Sequence, residues 1–362
     1  MRINGVLVVS LCACSTAFSQ DVGDKVFTIE KAELKSSADV VGTTEFGDLL
    51  EIELIQGKWF LVNNKGARGW IDREKVALPD QAVQEFSGKI EVDPKNSRNY
   101  HMRATAKYHL GGRDSAIADW TEAIRLQPLA IYFFNRGSVR IENGDVDSAI
   151  SDFDEAIRTE PRVVYFYASR GIAWNAKGEY DKAISDFDRA IRLAPKFFVA
   201  INARGNAWQN KREYDKAIAD YNQVLRINPR FALAYNNRGN AWALMMEYDK
   251  AIADYTEAIR LDPKYVDPYN GRGWLYATCP VAQFRNGSQA IRDAPRACEL
   301  SAWKEPNKIS TLAAAYAESG EFATAVEWQQ KAIGLSAENQ KADYLARLDL
   351  YNTGQPYREQ PK

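Results

Sequence analysis

AYNNRGNAWALMMEYDKAIADYTEAIRLDP, residues 234–263, is the stretch whose reading decides the fold. Moved back 34 residues it falls on INARGNAWQNKREYDKAIADYNQVLRINP, which starts at Ile201. Moved back again it falls on YASRGIAWNAKGEYDKAISDFDRAIRLAP, which starts at Tyr167. Gly137, Gly171, Gly205, Gly239 and Gly273 stand 34 apart, and Pro94, Pro128, Pro161, Pro195, Pro229 and Pro263 keep that spacing except for one gap of 33. A fixed period of this length marks a repeat array, in which each unit buries its apolar face against its neighbours.

One period reads as two helices. Tyr235, Gly239 and Trp242 recur at spacings of four and three, along one helical face. After a break at Met246-Glu247, the residues Ala251, Tyr255, Ala258 and Ile259 mark a second amphipathic helix. Pro263 ends it, because proline lacks an N–H and turns the preceding Asp262 away from helical geometry. Gly239, Ala251 and Ala258 are small where two helices approach closely. The order bulky, small, aromatic, small, aromatic, small, proline resembles the tetratricopeptide repeat (TPR), and five successive units carry most of it. The resemblance implies a mainly α fold, a right-handed solenoid of helix-turn-helix units.

Seven units are expected over 97–337, beginning with 97–129, 130–163, 164–197, 198–231 and 232–265. The sixth carries about five extra residues, because Ala290 lies 14 after Tyr276 rather than nine, and Thr278 to Gly287 lengthen its turn. A seventh spans 306–337. Residues 80–93 read as a degenerate half-repeat that caps one end, Ala82 and Phe86 standing 34 before Ala116 and Trp120. Residues 338–350 read as a last helix whose Leu345, Leu348 and Leu350 cover the other end, and the polar tail 351–362 is expected to fray from Gln355 onward.

Ahead of the repeats the character changes. Leu50 to Leu54 alternate, Lys58 to Val62 follow, and Gln56-Gly57 and Asn63 to Gly66 read as hairpin turns. Gly47-Asp48, Gly57-Lys58-Trp59 and Gly69-Trp70-Ile71 resemble a bacterial SH3 (SH3b) domain over 21–78, which implies a small five-stranded barrel. Such domains bind peptides or cell-wall fragments; Trp59 and Trp70 fit either barrel core or ligand platform. Phe27 to Lys31 lack the acidic, tyrosine-rich loop of proline-rich recognition, so none is expected. Residues 1–19 combine Arg2 with an apolar run from Val6 to Ala17 and small residues Ala17 and Ser19, the pattern of a secretory signal peptide. A rival reading takes Leu11-Cys12-Ala13-Cys14 as a lipoprotein box with Cys14 acylated. The chain is thus expected to be exported, periplasmic or secreted, with no transmembrane segment.

Charged residues make up 26% of the 362, with a net charge of −1, so no electrostatic footprint for nucleic acid is visible. Two histidines leave little room for histidine catalysis or a multi-histidine metal site. No nucleophile elbow or glycine-rich phosphate loop occurs, and the repeats and barrel leave no length for a catalytic domain. No enzyme activity, metal or cofactor is expected.

Arg103, Arg136, Arg170, Arg204, Arg238 and Arg272 each precede the repeat's small residue, and the second helices carry Asp119, Asp152, Asp186, Asp220, Asp254 and Asp293. Both rows stop together in the seventh unit, at Leu312 and Trp328. Joint loss is expected of mutually satisfied ion pairs, since either charge alone in a buried seam is costly. By resemblance, the groove of the array takes the second, fifth, ninth and twelfth positions of each first helix. These place Asn202, Asn206, Asn236, Asn240 and Asn270 in a strip, with Tyr165, Leu233 and Trp274 as apolar contacts. Amides both donate and accept, which suits an extended peptide backbone. The lysines and arginines that clamp a terminal carboxylate in chaperone-type TPR grooves are absent, with Val199, Asn202 and Leu233 in their places. Export also leads to an expected disulfide between Cys279 and Cys298. The expected function is an exported protein-interaction scaffold that binds a protein or peptide in its groove. The alternative is a cell-wall-associated accessory or targeting subunit of an envelope enzyme, with the SH3b domain binding peptidoglycan or peptide.

Overall fold

A computed structural model describes residues 79–360 throughout and, before them, seven strands between Lys25 and Ala77. The expected signal peptide at 1–19, with Cys14, lies outside the described residues, as do the side chains of Trp59 and Trp70. Two compact units divide the chain, Met1–Leu193 and Ala194–Lys362.

The first unit opens with strands β1 (Lys25–Thr28), β2 (Ala32–Ser36), β3 (Asp39–Thr44), β4 (Leu49–Gln56), β5 (Trp59–Asn64), β6 (Ala67–Asp72) and β7 (Val76–Ala77). They form one antiparallel sheet in the order β3-β2-β6-β5-β4-β1-β7. The alternating run at 50–54 lies in β4, registered to β5 from Glu51↔Asn63 to Gln56↔Trp59 with a bulge between Ile52 and Leu54. Leu34, Val62 and Ile71 are buried. Five strands were expected. Seven arise because the segments at the two ends, β1 and β7, pair through Phe27↔Ala77 and Thr28↔Val76, and neither is long enough to show alternation.

Helix α1 (Pro79–Val92) buries Ala82, Phe86 and Ile90. Three helix pairs follow in this unit: α2 (Ser97–His109) with α3 (Arg113–Leu126), α4 (Ala130–Glu142) with α5 (Val146–Thr159), and α6 (Val164–Ala176) with α7 (Tyr180–Leu193). Each pair is stapled by an aromatic side chain of its second helix, Trp120, Phe153 or Phe187, all buried.

The second unit holds α8 (Phe198–Asn210) with α9 (Tyr214–Ile227), α10 (Ala232–Leu244) with α11 (Tyr248–Leu261), α12 (Val266–Thr278) with α13 (Gly287–Leu300), α14 (Pro306–Glu318) with α15 (Phe322–Leu335), and α16 (Lys341–Asn352). Tyr221 and Tyr255 now take the staple position, both buried. A Cβ on Gly205 would stand 2.6 Å from Tyr221 Cε1, which is why the repeat demands glycine there. The first helices, α12 excepted, end on a residue of positive φ. It is glycine at Gly111, Gly144, Gly178 and Gly320, but Arg212 (φ 63°) and Met246 (φ 62°) in this unit.

Three expectations for this unit need correcting. Cys279 and Cys298 are free and buried. The enlarged turn folds back as a 3-10 turn at Ala282–Phe284, and Cys279 packs with Tyr248, Leu275 and Phe284. Cys298 instead joins Ala290, Ala294, Ile309 and Leu312, so the two thiols serve different cores. The last helix is seated by Tyr344 and Tyr351, whereas Leu345 is exposed. Finally, the tail does not fray where it is described: Tyr357 packs at a tilt against Trp274 with ring centroids 5.7 Å apart, and Glu359 N–H donates to the Thr278 carbonyl at 2.9 Å. Its aromatic ring and arginine supply contacts that a purely polar tail would lack. No helix among the described residues is long and apolar enough to cross a membrane.

Candidate functional site

The arginine row is consumed inside the repeats. Arg103 Nε and Nη2 donate to the two carboxylate oxygens of Asp119, both at 2.8 Å. Arg136 holds Asp152 the same way at 3.0 and 2.6 Å, and Arg170 holds Asp186 at 2.8 and 2.6 Å. In the second unit Arg204 grips Asp220 at 2.8 and 2.6 Å, Arg238 grips Asp254 at 2.8 and 2.7 Å, and Arg272 grips Asp293 at 2.7 and 2.8 Å. All six aspartates are buried. The remaining amine reaches the preceding repeat: Arg238 Nη1 donates to Asn222 Oδ1 at 2.5 Å, and Arg272 Nη1 to Thr256 Oγ1 at 2.8 Å. Bidentate geometry and burial make these structural pairs, with no guanidinium edge turned toward a ligand anion.

The asparagines sort into two kinds. Of the three at the fifth position, Asn202 and Asn236 are drawn inward, 5% and 3% exposed, while Asn270 is half-buried. Asn202 Oδ1 accepts from Asn237 Nδ2 at 3.3 Å, and that same amide donates to Asn206 Oδ1 at 3.0 Å. Asn237 thus ties α10 to α8. At the ninth position, Asn206 and Asn240 are half-buried. Tyr221 Oη donates to Asn206 Oδ1, and Tyr255 Oη to Asn240 Oδ1, each at 2.7 Å. Burial pushes both phenols well above their ordinary pKa, with the charge of Asp220 adding at Tyr221 and that of Glu359 at Tyr255. Both hydroxyls therefore remain donors through the working pH range. With its carbonyl committed, each asparagine has its NH2 left to offer.

Of these side chains Asn240 and Tyr255 border a cleft of about 370 Å³, lined also by Gln209, Asn270 and Trp274 and on its apolar side by Leu244, Met246 and Tyr248; Asn206 and Tyr221 stand one repeat earlier, outside its lining. Leu244 and Met246 are 41% and 57% exposed. Asn270 Oδ1 is buried with no hydrogen-bond partner among the described residues. Trp274 Nε1 donates to Glu359 Oε2 at 2.8 Å, so the tail stands at one rim of the cleft. Of the apolar contacts expected, Trp274 lines the cleft, Leu233 is half-buried elsewhere on α10, and the exposed Tyr165 belongs to the first unit. Among the described residues no group of histidine, cysteine and carboxylate side chains is placed to hold a metal ion.

Sequence reasoning missed the tyrosines, although the chain displays the rule. Fifteen residues after Ser138 and Ile172 stand Phe153 and Phe187, whereas fifteen after Asn206 and Asn240 stand Tyr221 and Tyr255. The hydroxyl is present where there is an amide for it to hold.

Models of the tetratricopeptide repeat match residues 101–150, 134–196 and 232–265, and a TPR repeat model matches 210–245. Over residues 101–196 and 210–265 the chain thus carries tetratricopeptide repeats. Yeast Tom70 is similar in structure, with a TM-score of 0.57 at 17% identity, over 76% of this chain and 59% of that one. A tetratricopeptide repeat protein from Parabacteroides merdae ATCC 43184 gives 0.56 at 18%, over 75% and 99%. The APC/C hetero-tetramer Cut9-Hcn1 gives 0.57 at 16%, over 75% and 52%. At these identities the likeness is one of fold. No curated protein matches the chain in sequence.

Proposed function

We propose that the chain is a protein-interaction scaffold whose second unit holds an extended protein segment in the cleft beside α10 and α12. One observation carries this: the carbonyls of Asn206 and Asn240 are tied to tyrosine hydroxyls, so their NH2 groups form a pre-oriented row of donors. A row of fixed donors suits the carbonyls of an extended backbone, and orientation set in advance lowers the entropic cost of binding. Leu244 and Met246 offer apolar contact beside it. The lining residues carry few formal charges, so affinity should change little with salt. The reading is of a binding protein rather than an enzyme, exported through the leader at 1–19. An SH3-like role for the sheet, in peptide or cell-wall binding, rests on the glycine and tryptophan pattern alone and is secondary.

A library of random linear peptides tests the proposal. The wild-type chain should select a family of related segments. Substituting Asn206, Asn240 and Asn270 by alanine together should abolish selection while the helical circular dichroism is kept. Selection of the same peptides by the folded triple variant would remove the cleft as the site.

A further inference from the structure

Gly354, with φ 70°, ends α16 and turns the chain back, the Gln355 N–H closing on the Leu350 carbonyl at 2.9 Å. The following residues are irregular and run against α12. Tyr357, Trp274 and Arg347 cluster together: the two rings are 5.7 Å apart, and the guanidinium stands 5.1 Å from the Tyr357 centroid and 4.8 Å from that of Trp274. Arg358 reaches the Ala277 carbonyl at 3.2 Å and forms an ion pair with Glu318 at 2.5 Å. Glu359 uses its backbone N–H on Thr278 and its carboxylate on the Trp274 indole. One short segment therefore makes a backbone hydrogen bond, an aromatic contact and a side-chain hydrogen bond, the three kinds of contact by which a foreign peptide would be held.

The carboxylate argues against a purely structural cap. Among the described residues no lysine or arginine forms a salt bridge with Glu359, and its hydrogen-bond partner is a neutral indole. It stands near enough to Tyr255 and Tyr248 for its charge to raise both phenol pKa values, after burial. A half-buried carboxylate with one neutral donor covers an array end less well than an apolar side chain would. Its placement makes sense as recognition: the indole N–H of Trp274 selects an acceptor.

We infer that Tyr357–Gln360 is an internal occupant of the cleft rim. The external partner is then an extended segment with the same signature, an aromatic residue followed two positions later by a carboxylate, which must displace the tail to bind. This rests on the proposed peptide-binding role of the cleft. A tethered occupant competes at an effective concentration in the millimolar range, so it weakens the apparent affinity of any partner for the same contacts.

The probe is a labelled synthetic peptide of residues 355–362, titrated onto the full-length chain. Tyr357→Ala with Glu359→Ala in the protein loosens the tail while leaving its length unchanged. That variant should bind the wild-type peptide at least about tenfold more tightly than the unaltered chain does. The gain should vanish when the peptide carries Glu359→Ala, or when the loosened protein also carries Trp274→Phe. Glu359→Ala alone, which keeps the Tyr357 ring contact, serves if the double variant does not fold, and should show the same gain in smaller measure. Equal affinity of the unaltered and loosened chains, with helicity intact, would make the tail a structural cap and overturn the inference. The library selection with the triple asparagine variant leaves the tail untouched, so its outcome decides the cleft's function independently.

Discussion

Tyr255 donates its hydroxyl to the Asn240 carbonyl at 2.7 Å, and one repeat earlier Tyr221 does the same to Asn206. Where the ninth position is Ser138 or Ile172, the staple is a phenylalanine. Tyr255→Phe should cost about 1 kcal/mol in urea unfolding, the worth of one hydrogen bond whose acceptor can still meet water. It should cost more in peptide binding, because Asn240 loses its fixed orientation. Asn240→Ile with Tyr255→Phe recreates the pairing of the 164–197 repeat. That double variant should be about as stable as wild type and still bind poorly, and wild-type affinity in it would show that the amide is not used.

Arg238 and Asp254 form a bidentate pair whose side chains are 20% and 8% exposed. Arg238→Leu should destabilise by about 3–5 kcal/mol, since it leaves a buried carboxylate unpaired. Adding Asp254→Leu should recover much of the loss. Repeat arrays respond locally, so amide exchange in α10 to α12 is the measurement of choice. A single variant that protects those amides as well as wild type would contradict the pairing's structural role.

Met246 sits at φ 62°, where equivalent turns place Gly144 and Gly178, and its exposed side chain lines the cleft. A left-handed non-glycine residue costs about 1 kcal/mol or more. Met246→Gly should therefore stabilise the second unit by about that amount. The same change removes apolar surface from the lip, and peptide affinity should drop severalfold. If Met246→Gly leaves affinity unchanged, Met246 does not contact the bound segment.

Much of the helical fold was legible because the repeat imposes it. The prolines and glycines mark helix ends and crossings at a fixed period, and the joint loss of arginine and aspartate at Leu312 and Trp328 showed that the charges belong to each other. The cleft was legible in part. Position numbers located Asn240, Asn270 and Trp274, but not that Asn206 stands outside the lining or that Asn202 and Asn236 turn inward, where Asn237 bridges neighbouring helices. The tail was illegible for a different reason. Glu359 meets Trp274 across 85 residues of chain, and no periodicity extends past the last helix to announce it. Cys279 and Cys298 misled because their separation in sequence suits a loop closure, while the folded-back turn sends each thiol to its own core. Burial pushes the Cys298 thiol up to about 12, which leaves it inert.

His101 gives the first unit a dependence on pH whose sign is fixed by its surroundings. Trp120 Nε1 donates to His101 Nδ1 at 2.9 Å, and the imidazole packs on Tyr132 at 4.8 Å between centroids. The indole needs a neutral acceptor. Burial, with Arg98 adding, pushes the His101 pKa from 6.5 down to about 4. The folded state thus binds fewer protons than the unfolded chain between those values. This residue's contribution is fully present above about pH 6.5 and is lost as pH falls toward 4, by at most about 3 kcal/mol. Carboxylates titrate in the lower part of the same window, so the measurement is a difference between two proteins. His101→Gln keeps an acceptor for the indole but cannot be protonated. Amide exchange in α2 and α3, compared at pH 7 and pH 4.5, should show wild type losing more stability than the glutamine variant. Parallel losses in the two proteins would mean that His101 does not titrate below its ordinary range.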